Sequence, residues 1–276
     1  MSVVLARPPR EVAMVVGSDA RSFLQSLISQ DLDAVPDGAG ARSLLLTPQG
    51  KLDVDLGLAR VGDEIWLVCE AGFGDQLVAS LRRFKIRVDA EVELRPDLDV
   101  LTVLGADDVP GNVVPSPWPG GVEVVASPEA LRDLEAELEG HGAQRWSPDE
   151  YEANRITAGV PRQGFELDEK TIPQEAFLER DAVSFDKGCF LGQELVCRID
   201  TRGHVNKYLR RLTEIDGAPP PRGAEVVVGE KVVGTVTSAT DGVALGYVRR
   251  EVEPPAEVTL RWDGGTARAA VEALPA

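Results

Sequence analysis

Asp186, Lys187, Gly188, Cys189, Phe190, Leu191, Gly192, Gln193 and Glu194 form the stretch of this 276-residue chain whose residue types and spacing point most directly to chemistry. A thiol beside a cation and near a helix start has its thiolate stabilised, and flanking glycines let a ligand or a second backbone approach closely. Gln193 to Ile199 looks helical, so Cys189 is a candidate nucleophile with Lys187 as the neighbouring cation. The same spacing also suits a buried cysteine, packed as a small hydrophobe beside glycines that serve only a turn. Cys69, inside an apolar run, and Cys197, on the apolar side of the helix, read as core residues.

Two other groups of side chains suit a ligand. Arg198, Arg202, Lys207, Arg210 and Arg211 are five cations against one acid, Asp200, within residues 198–211. Such a patch in an acidic chain attracts a small polyanion or a carboxylate-bearing ligand, and equally suits a solvated face. Arg82, Arg83, Lys85 and Arg87 form a second, weaker cluster. Among the many acids, Asp55, Glu166 and Glu175 are candidate hydrogen-bond acceptors for a ligand amine or heterocycle, with a surface charge as the alternative for each.

The elements that must hold these residues follow from periodicity. Ser18 with Phe23, Leu24, Leu27 and Ile28 predicts a helix over 18–31. Leu52, Val54, Leu56 and Leu58 alternate with Asp53, Asp55, Gly57 and Ala59, a strand with Asp55 on its polar side. A strand over Ile65–Cys69 and a helix over Phe73–Leu81 follow. Ile86, Val88, Ala90, Val92 and Leu94 then alternate with charged residues as a half-buried strand. Residues 107–121, rich in proline and glycine, read as an irregular connection. Ser127 and Pro128 open one helix, and Ser147, Pro148 and Glu150 form a capping-box start for another. The long irregular stretch 159–190 is where function is expected to concentrate. After Pro219–Pro221 come short β segments at 226–228, 232–236, 243–248 and 258–262, predicting a small barrel.

Composition narrows the classes. Hydrophobic residues make up 43% and charged residues 27%, as in a globular protein. Lys and Arg total 29 against 46 Asp and Glu, a formal net charge of −17 that repels nucleic acid and anionic membranes overall. The apolar start Val3–Leu5 is interrupted by Arg7, Pro8, Pro9 and Arg10, and no stretch of about 18 apolar residues occurs, so neither secretion nor a membrane span is expected. Two histidines and three scattered cysteines supply little for a zinc site or a four-thiolate cluster, and no metal site is expected. An odd number of cysteines suggests a reducing compartment, by default the cytoplasm.

The octet KGCFLGQE at 187–194 resembles the signature of the YgfZ-type folate-binding proteins, relatives of the glycine-cleavage T-protein, an aminomethyltransferase. FLQSLISQDL at 23–32, LLLTPQGKLDVDL at 44–56, NRITAGVPRQGFEL at 154–167, TIPQEAFLE at 171–179 and RIDTRGHVNKYLRRL at 198–212 are similar to family segments in the same order. The resemblance covers most of 20–212, with a weaker match in the β-rich tail. It implies an α+β fold: a folate-binding region over 1–212, made of two lobes of antiparallel sheets with flanking helices, and a C-terminal β-barrel over 213–276, packed around a central channel. It also implies a reduced folate such as tetrahydrofolate as cofactor, and a role in assembly or repair of iron–sulfur clusters, with client enzymes or assembly proteins as partners.

The functionally required residue of that motif falls on Cys189, beside Lys187, and Gly188, Gly192, Gln193 and Glu194 complete the motif. Asp55, Arg155, Glu166, Arg198 and Arg202 join these as expected cofactor contacts. The chain departs from the aminomethyltransferases in three ways. They carry a paired acid where this chain has Val54 and Asp55, they carry a glutamate where it has Thr157, and they lack the motif cysteine. Loss of positioning carboxylates weakens methylene transfer, so the YgfZ-type role is the expectation. An aminomethyltransferase is the alternative, and a non-catalytic folate-dependent adaptor a second one.

Overall fold

The computed structural model describes residues 2–106 and 108–275. They divide into two compact units, Met1–Pro148 with Glu179–Cys197, and Asp149–Leu178 with Arg198–Ala276.

The first unit begins with β1 (Val4–Ala6), β2 (Arg10–Val16) and α1 (Ala20–Gln25), then β3 (Gly40–Leu46), β4 (Leu52–Val61), β5 (Glu64–Glu70) and α2 (Gly74–Arg83). It continues with β6 (Glu91–Leu94), β7 (Asp99–Leu104), β8 (Asn112–Pro115), β9 (Gly121–Ala126), α3 (Pro128–Gly140) and β10 (Gln144–Arg145). One five-stranded sheet runs β3-β4-β5-β2-β6 and is antiparallel throughout; the other runs β10-β1-β7-β9-β8, with only the β1–β10 pair parallel. The alternation of β4 appears as expected: Leu52, Val54, Leu56 and Leu58 are buried while Asp53 and Asp55 lie on the other side. Phe23, Leu24, Leu77 and Leu81 from the two helices close over that apolar face, a core stabilised by about 25 cal/mol per Å² of apolar surface removed from water.

Three elements differ from the sequence expectation. Helix α1 ends at Gln25 rather than 31 because Ile28 bridges to Leu45 and the Ser29 N–H donates to the Leu44 carbonyl, drawing the chain onto the edge of β3. Ser18 does not cap it; its hydroxyl donates to Asp89 at 2.8 Å. The strand expected from Ile86 onward is confined to Glu91–Leu94: Ile86 is 75% exposed and Arg87 takes a positive φ of 57°, a turn that ends any pleat. Within the connection expected over 107–121, Asn112–Pro115 pairs with β9 as β8, a four-residue strand too short for a period to be read.

The second unit contains most of α4 (Pro148–Ala158), the 3₁₀ turn Pro173–Glu175, and the barrel. α5 (Glu179–Ala182) belongs to the first unit, and α6 (Gln193–Arg202) begins in the first and ends in the second. The barrel strands are β11 (Lys207–Thr213), β12 (Glu225–Val228), β13 (Lys231–Thr240), β14 (Val243–Arg249), β15 (Ala256–Trp262) and β16 (Gly265–Glu272). They close in the order β11-β14-β13-β12-β15-β16, with β11 hydrogen-bonded to both β14 and β16. The barrel therefore starts at Lys207, inside the segment that the sequence reading gave to the folate-binding region. Three cations in Lys207–Thr213 obscure the strand pattern there.

Candidate functional site

Cys189 is the exposed cysteine of the three, on the irregular segment between α5 and α6. It lines an open groove of about 750 Å³ together with Gly188, Ser18, Arg21, Ser22, Gln25, Ser26 and Asp33. Cys69 is buried on β5, where loss of hydration pushes its thiol up to about 12, so it stays protonated and inert. Cys197 is half-buried on α6. A reachable sulfur with open space beside it is what thiol chemistry requires, and the packed-cysteine alternative falls away for this position.

The residues around Cys189 hold the loop rather than the sulfur. The Lys187 ammonium donates to the carbonyls of Gln25 at 2.7 Å, Ile28 at 2.8 Å and Gln30 at 2.8 Å, so all three of its N–H bonds go to backbone. Burial pulls its pKa down to about 8, with Asp31 and Asp33 acting in the opposite direction. Gln193 accepts from the Phe190 N–H at 2.8 Å, closing the turn ahead of α6, while the Phe190 ring is buried. Gly192 has φ +78°, and a methyl there would meet the Thr47 carbonyl and reach 2.9 Å from Leu46 Cβ. Only glycine fits. Gly50 returns the contact, with a Cβ there meeting Leu195 Cβ at 2.6 Å and the Gly192 carbonyl at 2.8 Å. Gly188 and Glu194 are exposed, with open space around Gly188.

Several expected ligand residues have other tasks. Arg155, 1% exposed, pairs with Glu166 at 2.8 Å and Glu152 at 2.7 Å, and donates to the Val160 carbonyl and the Ser238 hydroxyl. Glu166 also accepts from the Arg162 N–H at 3.1 Å and the Ser238 hydroxyl at 2.5 Å. Their polar atoms pair with one another and with neighbours within the second unit, as two buried charges require. Asp55, mostly buried, pairs with Arg42 at 2.6 Å. Arg198 and Arg202 are exposed along the second half of α6. Of the remaining cations in that stretch, Arg211 pairs with Glu272 at 3.2 Å, Arg210 lies over the Phe177 and Tyr208 rings, and Lys207 lies 4.2 Å from the Tyr247 ring centroid.

Glu175 is arranged differently. It ends the 3₁₀ turn at 6% exposure, with Oε2 accepting from the Ile172 N–H at 3.3 Å and facing the Lys207 ammonium at 3.7 Å. Burial raises the carboxyl above its ordinary range, and Lys207 opposes that rise. Phe177 and Tyr208 stack in the same unit, 5.4 Å between centroids and 11° between planes. The grouping of Glu175, Lys207 and Tyr247 was not readable from sequence, where 72 positions separate the first from the last.

Residues 208–273 match the CAF17 C-terminal β-barrel domain. Over 303 aligned residues the chain is 26% identical to the tRNA-modifying protein YgfZ of Escherichia coli O157:H7, covering 96% of this chain and 90% of that protein. It is 28% identical over 239 residues to the mitochondrial iron–sulfur cluster assembly factor IBA57 homolog of Mycosarcoma maydis, covering 78% of this chain and 58% of that one. Aminomethyltransferase T of the glycine cleavage system from Bartonella henselae superposes with a TM-score of 0.83 at 21% identity, over 99% of this chain and 86% of that chain, and so shares the fold. Together these likenesses support a YgfZ-type, GcvT-like family. The α+β architecture, the antiparallel sheets and the closed six-stranded barrel implied by that likeness are all present. Among the described residues no helix is long and apolar enough to cross a membrane.

Proposed function

We propose that this chain binds a reduced folate such as tetrahydrofolate and supports assembly or repair of iron–sulfur clusters in client enzymes, with Cys189 as its reactive group. The observation that carries the reading is the exposed Cys189 thiol, set in a groove on a loop tied down on both sides. Glu175 supports the folate part. A buried carboxylate that accepts from the Ile172 N–H, faces Lys207 and retains further acceptor capacity suits a heterocycle that presents N–H donors, as a pterin does. Lys207 opposes the rise that burial imposes on that carboxyl. A bound folate would supply a one-carbon carrier, for which Glu175 is the acceptor offered by the second unit; in the first unit Cys189 offers sulfur to the iron, sulfur or one-carbon species being handled. A reducing compartment, the cytoplasm in this reading, keeps that sulfur a thiol.

Methylene transfer is the weaker reading. Thr157, at the position of an aminomethyltransferase glutamate, turns its hydroxyl back to the Ala153 carbonyl at 2.9 Å, and Asp55 is held by Arg42. Neither supplies a free carboxylate for positioning a donor.

Titration of the purified protein with tetrahydrofolate under anaerobic, reducing conditions tests the ligand. Saturable binding that weakens about tenfold in Glu175→Gln, equivalent to about 1.4 kcal/mol, is expected. Absence of binding by any reduced folate removes the assignment. Expression of Cys189→Ala in cells lacking the protein tests the chemistry, since iron–sulfur enzyme activity should then stay at the level of the empty host.

A further inference from the structure

The motif around Cys189 contains a lysine whose charge is enclosed by backbone. Its ammonium holds three carbonyls from one short run, Gln25 at the end of α1, then Ile28 and Gln30. Those carbonyls cannot be satisfied as helix acceptors because α1 stops there and the chain turns toward β3. Three residues beyond Cys189, Gly192 packs backbone to backbone against Thr47 and Gly50. The thiol thus lies between two anchors that tie its loop to separate parts of the first unit, and the Gln193–Phe190 bond closes the second one.

We propose that Lys187 is a positioning residue: by gathering the Gln25, Ile28 and Gln30 carbonyls it holds the Cys189 loop against the end of α1, so that the sulfur keeps one place in its groove. This rests on the reading of Cys189 as the reactive group. A lysine is suited to the task because its three donors radiate from one nitrogen, whereas the planar fork of arginine cannot direct three bonds from a single point. The charged groups facing the ammonium are Asp31 and Asp33, from the segment just after α1. Loss of the lysine proton is the event that weakens the anchor. Burial has already made that loss easier, which marks Lys187 as retained for geometry at a cost in hydration.

The test is electron paramagnetic resonance of a nitroxide attached to Cys189 through a methanethiosulfonate reagent, in a Cys197→Ser background that leaves only buried Cys69 besides. With Lys187 present the label should move slowly. In Lys187→Met and Lys187→Gln its correlation time should fall at least about threefold, out of the nanosecond range of a held loop. A second measurement needs no substitution at Lys187: raising the parent from about pH 7 to about pH 9.5 should mobilise the label as the lysine deprotonates. An unchanged spectrum in whichever of the two variants folds, or an unchanged spectrum across that pH range, overturns the proposal. If Cys189→Ala still restores iron–sulfur enzyme activity in cells, the functional reading of the thiol fails while the spectra still decide whether Lys187 is the anchor.

Discussion

The Cys189 loop of the first unit and the Arg155–Glu166 network of the second contain the same kinds of residue and use them in opposite ways. Around Cys189 the charge of Lys187 is turned onto backbone carbonyls and the reactive atom is left open. Around Arg155 every charge meets another: buried Glu166 and half-buried Glu152 pair with it, and the Ser238 hydroxyl completes the set. A buried ionic set stabilises only as a whole, because removal of one member leaves the rest charged and unhydrated. A held loop with a free thiol can lose the thiol and keep its fold. The contrast separates residues that maintain the scaffold from residues that are free to meet a ligand, and Glu175, buried and facing Lys207, falls between them.

Breaking the closed set gives the largest effect. Arg155→Met should destabilise the protein by about 3–5 kcal/mol, read from the midpoint of urea unfolding, since Glu166 would remain charged beside Ser238. A loss below about 1 kcal/mol would show that the set opens to water and would dissolve the distinction.

Gly192→Ala should cost about 1–3 kcal/mol, because the left-handed backbone and the Thr47 carbonyl leave no place for a methyl. Circular dichroism melting gives the sign. An unchanged melting temperature would mean that this anchor is absent.

Glu175→Gln should reduce folate affinity by about 1.4 kcal/mol and also alter acid stability. The folded-state pKa of Glu175 lies above its ordinary 4.5. Its contribution to stability is therefore complete below about pH 4.5 and is lost as pH rises through the raised value. Unfolding measured from about pH 4 to about pH 8 should show this decline in the parent and not in the variant. Folate affinity should run the other way, weakening as the pH falls and Glu175 takes up a proton.

The smallest effect on stability belongs to Cys189→Ser, expected within about 0.5 kcal/mol of the parent because the side chain is exposed. Its rescue of iron–sulfur enzymes in cells should nonetheless disappear. A variant that unfolds early would place Cys189 with the scaffold instead.

Much of the fold was legible because burial imposes a period on the chain. Leu52 to Leu58 announced β4, and Ser127 with Pro128 announced α3, whose cap forms through the Ala130 N–H. Where the pattern was present but the chain turned, the reading failed: Ile86 and Val88 have strand spacing, yet Asp89 is held by the Ser18 hydroxyl and donates its N–H to Asp19, and Ile86 is left in solvent. β11 was hidden for the opposite reason, since its cations lie on a strand whose buried residues are Leu209, Leu212 and Thr213.

Residue order alone established the KGCFLGQE motif, the lack of material for histidine or zinc chemistry, and an acidic chain carrying a local run of cations. Those are properties of composition and neighbours, which survive without a fold. Only the tertiary structure decided that Cys189 is reachable while Cys69 is sealed, that Arg155 and Glu166 neutralise each other, and that Lys187 grips carbonyls some 160 positions away in sequence. The reason is that hydration and pairing depend on which distant groups arrive at a side chain, and spacing along the chain does not record that.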